Sequence, residues 1–279
     1  MEHTVIPRLS IFRADRPTIR TPGIYHPIFC LVVSGRKQMF FGEETSEYGS
    51  GDCFLVTVKL PVIGTILEAS HESPYLALCI DLHHTTLAEI AIKASPMSDI
   101  TKGSDCGLQA GTATTEVVDA AFRLTQLIDN SEHIDVLAPL YEQELLYRLY
   151  VGSWGRSLYA ASQANSRLSQ VGTAIAWLHE HYATDYAANE LAKVTRMSVS
   201  TMNRHFREIT AMSPLEYQKR IRLQEARRLL TSQITDVSGA GYAVGYSSPS
   251  QFNREYRRLF GAPPGRDTSQ MRSEMEFLA

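Results

Sequence analysis

Between residues 5 and 100 the apolar positions come in short runs broken by turn residues. Ile28 to Val33 precedes Ser34-Gly35, Gln38 to Phe41 precedes Gly42, and Cys53 to Val58, Pro61 to Glu68 and Tyr75 to Asp81 follow. Runs of this length at even spacing predict strands, and Tyr48-Gly-Ser-Gly-Asp52 predicts a tight corner between two of them. A small β-barrel or sandwich is the expected arrangement. After a Ser-, Gly- and Asp-rich loop over 95–111 the period changes. Val117, Val118, Ala121, Leu124, Leu127 and Ile128 recur at helical spacing, as do Leu137, Leu140, Leu145, Leu146 and Leu149. Two helices joined by a short polar loop form a hairpin over 112–150. It either covers the barrel or, with a leftover apolar face, pairs two subunits. Residues 152–167 are small and polar with two glycines and read as a linker.

From Leu168 onward the pattern is helical, and one stretch occurs twice. Ser200-Thr-Met-Asn-Arg-His-Phe-Arg207 and Ser250-Gln-Phe-Asn-Arg-Glu-Tyr-Arg257 share Ser, Asn, Arg, an aromatic and Arg in one register. In each copy the apolar residues (Met202, Phe206 and Ile209; Phe252, Tyr256 and Leu259) form one stripe. Ser200, Asn203, Arg204 and Arg207, and then Ser250, Asn253, Arg254 and Arg257, share the other face. Arg reads guanine edges bidentately and Asn reads adenine, while either Arg can hold phosphate. Two ordinary solvated faces would be the plainer explanation, but the repetition of four polar residues in one register argues against it. Gln251 adds a polar group at the start of the second copy, where Ser248-Pro-Ser-Gln251 also forms a capping box. Arg207 and Arg257 stand farther from the helix start and suit phosphate or an intramolecular pair.

Each copy has a supporting helix before it, so the helix–turn–helix units are expected over 188–209 and 236–259. Ser213-Pro-Leu-Glu216 opens a long helix that runs to Leu230 and joins them. In the second supporting helix, Gly239 and Gly241 each cost about 1 kcal/mol relative to Ala. Replacing both with Ala is therefore expected to raise stability.

Charge sharpens this division. Residues 1–165 hold 12 Lys and Arg against 19 Asp and Glu, a net −7, whereas residues 166–272 hold 15 against 9, a net +6. Only the basic half suits a polyanion. With no apolar run long enough to span a bilayer and no charged-then-apolar start, a cytoplasmic location is expected.

The four cysteines form no CxxC pair. Cys30 and Cys79 read as buried packing residues. Cys53 and Cys106 sit beside turns, where a reactive thiol or a reduced spectator could stand. His26, His71, His83 and His84 are scattered, and His83-His84 on a strand would face opposite ways. No metal site, catalytic residue or cofactor is expected.

With both units placed, the C-terminal hundred residues resemble the AraC/XylS family of transcription regulators. The matching stretches are Leu191-Ala-Lys-Val-Thr-Arg-Met-Ser198, Ser213-Pro-Leu-Glu-Tyr217, Arg222-Leu-Gln-Glu-Ala-Arg-Arg-Leu-Leu230 and Val244-Gly-Tyr-Ser-Ser-Pro-Ser-Gln-Phe-Asn-Arg254, ending in Phe260-Gly-Ala-Pro-Pro264. Leu31-Val-Val-Ser-Gly-Arg-Lys37 and Pro74-Tyr-Leu-Ala-Leu78 resemble the family's N-terminal effector domain. The resemblance implies an α+β chain in three parts: a cupin-like β-barrel with a helical hairpin over 1–151, the linker over 152–167, and an all-α DNA-binding domain over 168–270. It implies sequence-specific binding to double-stranded promoter DNA by two recognition helices. A small-molecule effector at the barrel, a homodimer through the hairpin and RNA polymerase are the further partners it implies, with no membrane. The alternative reading is a cupin-like metalloenzyme fused to a DNA-binding domain.

Overall fold

The computed structural model describes residues 2–94 and 106–276. Residues 95–105 of the expected 95–111 loop lie outside the described residues. The N-terminal half is built from strands β1 (Glu2–His3), β2 (Leu9–Ala14), β3 (Thr21–Tyr25), β4 (Ile28–Ser34), β5 (Arg36–Phe41), β6 (Glu44–Tyr48), β7 (Asp52–Val56), β8 (Leu60–Glu68), β9 (Tyr75–Asp81) and β10 (Leu108–Thr112). They form two antiparallel sheets among the described residues, one in the order β1-β2-β9-β4-β7-β10 and the other β3-β8-β5-β6. No ladder joins the two, so the expected barrel is an open two-sheet sandwich.

Period-two alternation decides which core each residue enters. On β4, Ile28, Cys30 and Val32 face into the sandwich, while Phe29 and Leu31 face outward into a second core. β7 and β9 do the same: Phe54, Val56, Ala77 and Cys79 point inward, and Leu55, Leu78 and Ile80 outward. Both faces of the six-stranded sheet are therefore apolar, which explains why these strands read as continuous hydrophobic runs.

Helices α1 (His84–Lys93), α2 (Thr115–Gln126), α3 (Ile134–Val151) and α4 (Gly155–Ser162) cover the outer face. The Thr114 hydroxyl starts α2 by accepting from the Val117 amide. The predicted hairpin thus forms as α2 and α3, separated by two short 3-10 turns. Two segments differ from expectation. His83 and His84 open α1 and are not on a strand. Residues 152–167 are mostly helix, because Trp154 and Leu158 insert into the outer core, leaving only 163–166 between α4 and the next helix.

The C-terminal half comprises α5 (Arg167–Glu180), α6 (Ala188–Thr195), α7 (Val199–Thr210), α8 (Pro214–Thr231), α9 (Val237–Ala243), α10 (Pro249–Phe260) and α11 (Pro264–Glu276). Leu168, Val171, Ile175, Leu191, Met202 and Phe206 of the first unit belong to the same continuous hydrophobic cluster as the sandwich interior. The second unit has its own smaller core around Phe252, Tyr256 and Tyr246. No described helix is long and apolar enough to cross a membrane.

Candidate nucleic-acid interface

Each predicted recognition helix has a defined start. The Ser198 hydroxyl accepts from the Thr201 amide at the head of α7, after Arg196 turns the chain in the left-handed region (φ 55°). At α10 the Ser248 hydroxyl accepts from the Gln251 amide, and Pro249 occupies the first turn, where no donor is needed. The apolar stripes pack inward: Met202, Phe206, Ile209, Phe252 and Tyr256 are buried and Leu259 is half-buried.

The opposite faces are open. Ser200, Asn203, Arg204, Arg207, Ser250, Asn253, Arg254 and Arg257 are all exposed. Asn203, Arg207, Ser250, Asn253, Arg254 and Arg257 make no side-chain hydrogen bond or ion pair with any described residue, so their donors are available. Arg204 is the exception among the arginines. It lies 3.7 Å from Glu208 one turn on, and the pair is exposed, so it is worth little and is easily exchanged for a base or phosphate. The Ser200 hydroxyl rests 3.1 Å from that of Ser198.

Gln251 behaves differently from its neighbours. It is half-buried, and its amide donates to Glu255 at 3.3 Å. Glu255 also accepts from Lys219 at 3.0 Å and from the Tyr246 hydroxyl at 2.9 Å. Burial opposes the charge on Glu255, but these three donors outweigh it and hold its pKa below the usual carboxylate range. Glu255 thus ties α10 to α8, and Gln251 is turned along its own helix toward Glu255, less open than the other eight positions.

The spacing of the two faces is set by α8, which at about 1.5 Å per residue is about 27 Å long. Two of its side chains, one turn apart, act as clamps. Gln218 donates to the carbonyls of His181, Tyr182 and Thr184 in the loop before α6. Arg222 donates to Tyr182 and Thr184 at 2.6 Å and, from the same guanidinium, to Gly245 in the turn before α10 at 3.0 Å. One guanidinium therefore joins both helix–turn–helix units. The sequence places Arg222 in the long helix that runs to Leu230 and gives no sign of this role beyond a charged residue beside the buried Ile221.

Gly239 and Gly241 also differ from expectation. A Cβ on Gly241 would stand 3.1 Å from the ring of Phe252, which is completely buried, and one on Gly239 would stand 2.1 Å from the Thr235 hydroxyl. Gly241 lets α9 pack directly on α10, whereas Gly239 lies against Thr235 and Asp236 at the start of its own helix. Alanine at either site therefore needs its neighbour to move: the Phe252 ring by a few tenths of an ångström at Gly241, and the Thr235 side chain at Gly239.

The N-terminal half grips the first unit at the far end of α7. The Gly107 amide donates to the Ile209 carbonyl at 2.8 Å, satisfying one of the acceptors a helix end leaves unpaired. The Tyr217 hydroxyl of α8 donates to the Lys59 carbonyl at 2.8 Å and also meets His179 at 3.3 Å.

The sandwich interior holds a cavity of about 600 Å³. Its wall includes Lys37, which alternation predicts to face inward with Met39 and Phe41. His26 and His83 stand at the cavity, while His71 and His84 are exposed elsewhere. Among the described residues no three His, Cys, Asp or Glu side chains are placed to share an ion. Cys30 and Cys79 face each other across β4 and β9 with sulfurs 2.9 Å apart. Cys53 is fully buried, and burial pushes its thiol up to about 12; burial likewise raises Cys106. Neither has the low pKa of a reactive thiol.

An acidic half built on a two-sheet sandwich and a helical half presenting two matched basic faces define a two-part chain of which the helical part carries paired helix–turn–helix units. Residues 5–157 match the family of AraC-type transcriptional regulator N-termini, and residues 191–270 match a helix-turn-helix domain family. The chain belongs to the AraC-type transcriptional regulators. Curated relatives include the HTH-type transcriptional activator RhaS of Escherichia fergusonii, 29% identical over 157 residues, covering 53% of this chain and 55% of that one. RhaS of Escherichia coli O1:K1 is 27% identical over 156 residues, covering 56% and 55%. The chain thus spans about half the length of the curated relatives it matches. ToxT of Vibrio cholerae O395, solved with (E)-4-(8-methylnaphthalen-1-yl)but-3-enoic acid, shares the fold with a TM-score of 0.60 at 9% identity, covering 93% of this chain and 97% of that one. ToxT of Vibrio cholerae strain SCE256 bound to an unsaturated fatty acid gives 0.57 at 8%, covering 96% and 97%.

Proposed function

We propose that the protein is a sequence-specific, double-stranded promoter-DNA-binding transcription regulator whose two recognition helices, α7 and α10, enter successive major-groove segments. The observation that carries this reading is the pair of matched outward faces held at one spacing by Arg222. Ser200, Asn203 and Arg204, with Ser250, Asn253 and Arg254, read bases; Arg207 and Arg257 hold phosphate. A small molecule in the N-terminal cavity controls binding, with the contacts of Gly107 and Tyr217 as the mechanical link between the halves. The protein works in the cytoplasm, on the nucleoid when bound, without catalysing a reaction, and engages RNA polymerase as a further partner.

We also infer a homodimer through the hairpin. Val118 and Phe122 on α2, and Val136, Leu140 and Tyr147 on α3, are large apolar side chains left exposed after the inner stripe is buried. The metalloenzyme alternative has no supporting observation.

The test is selection of bound sequences from random DNA, followed by affinity measurements on the selected operator. Arg254→Ala should cost about 1–3 kcal/mol and relax preference locally. Arg257→Ala should weaken binding to every sequence and flatten the salt dependence by about one contact. Selection of no preferred sequence would refute the reading.

A further inference from the structure

Lys37 is 6% exposed and lies inside the sandwich in no ion pair with any described residue. Its ammonium donates to the Tyr25 hydroxyl at 2.6 Å. It stands 5.2 Å from the ring centre of Phe12, 5.1 Å from Tyr25, 5.6 Å from Phe54 and 6.0 Å from Tyr75. Four rings and one phenol stabilise a buried ammonium only in part, because an isolated buried charge is costly without a counter-ion. Among the described residues Asp81 is the one carboxylate lining the cavity, and it forms no ion pair with Lys37. A second polar group is unsatisfied: the buried Tyr75 hydroxyl has no hydrogen-bond partner among the described residues, and Tyr75 lines the same cavity. A buried donor with nothing to donate to costs stability unless a ligand completes it.

Charge and shape narrow what the site accepts. A cation would meet the Lys37 ammonium inside the ring cluster. A neutral polyol would meet His3, His26, Asp81 and His83, the exposed or half-buried polar residues of the lining, but would leave the ammonium uncompensated among Phe12, Ile24, Ile28, Phe54 and Leu82. A phosphate dianion would need a second buried cation, and the described residues place none there. One negative charge on an apolar body satisfies both the ammonium and the walls.

We propose that the N-terminal cavity binds a small monocarboxylic acid with a flat or linear apolar body, its carboxylate on Lys37 and Tyr75 and its body among the aromatic rings. This deepens the reading of the N-terminal half as an effector domain and rests on it for its regulatory meaning, though not for binding itself. The Lys37–carboxylate pair selects the charge, the rings select the body, and the Tyr75 hydroxyl supplies the second donor.

The experiment uses the full chain, with thermal shift and calorimetric titration of phenylbutyrate, trans-cinnamate and decanoate beside the matching primary amides. At least one acid should raise the melting midpoint while its amide does not. Lys37→Met should weaken that acid about tenfold or more, since a charge-assisted bond is lost. Tyr75→Phe should weaken it about three- to tenfold while the ligand-free midpoint stays level or rises, because an unsatisfied donor has been removed. A merely structural role for Tyr75 would not separate those two readouts. The proposal is overturned if no acid in the panel binds at millimolar concentration, if amides bind as well as acids, or if Lys37→Met binds as the parent does. Operator affinity measured on the same samples keeps the outcomes distinct: loss of DNA binding in the parent chain would defeat the regulator reading, not this one.

Discussion

Gly245 lies against the carbonyl of Ala183 so closely that a Cβ on it would stand 2.0 Å from the Ala183 oxygen. Gly245 also has φ 87°, in the region only glycine enters freely. The turn of the second helix–turn–helix unit is thus seated directly on the backbone of the first. Arg222 locks the seat by holding carbonyls on both sides. The two basic faces therefore hold one relative position in the free protein.

Gly245→Ala should accordingly cost at least about 3 kcal/mol through strain and backbone clash together. Thermal unfolding should show a lower midpoint. Affinity for a two-segment operator should fall more than affinity for a site matching either segment alone. An undisturbed midpoint would mean that the contact between units is not part of the solution structure.

Gly241→Ala should lower the melting midpoint, against the helix-propensity argument. The gain of about 1 kcal/mol from Ala is outweighed when the new methyl pushes on the buried Phe252 ring, since overpacking typically costs about 1–3 kcal/mol. Gly241→Ala combined with Phe252→Leu should recover part of the loss, which calorimetry on the pair can read.

Phe122→Glu should convert a dimer into monomers in light-scattering measurements. Phe122 is 59% exposed, so the folded subunit tolerates the charge while an apolar interface does not. Identical masses for parent and variant would remove the hairpin from the assembly.

Acid should loosen the seam between the halves. Burial lowers the His179 pKa to about 4, with Lys59 and His26 adding repulsion. The unfolded imidazole titrates near about 6.5, so the unfolded chain takes up the proton first. Stability from this group is therefore full above about pH 6.5 and is lost as pH falls toward about 4, by about 2 kcal/mol once part-exposure is discounted. His179→Gln should flatten that part of the stability–pH curve. An equal slope in the variant would assign the acid sensitivity elsewhere.

The repeat made the interface unusually legible. Met202, Phe206, Phe252 and Tyr256 at helical spacing can only pack, which forces Asn203, Arg204, Asn253 and Arg254 outward; eight of the nine chosen side chains are exposed. Gln251 is ambiguous in the sequence because a residue near a helix start can face either way; in the fold it is half-buried and bonds Glu255. The segment 152–167 misled because small residues look alike in a flexible linker and in a close helix contact. The stretch holding β2, β3 and β6 was too polar or too short to stand out.

Sequence alone determined the local elements, the two recognition faces and the division of charge, because periodicity and side-chain chemistry act over a few residues. Tertiary structure alone decided what lies far apart in the chain yet meets in space. It closed the sandwich over Lys37 and Tyr75, seated Gly245 on Ala183, and turned Arg222 from one residue in a helix into the clamp between two units. Those relationships depend on packing and on which buried polar groups find partners, and no run of neighbouring residues encodes them.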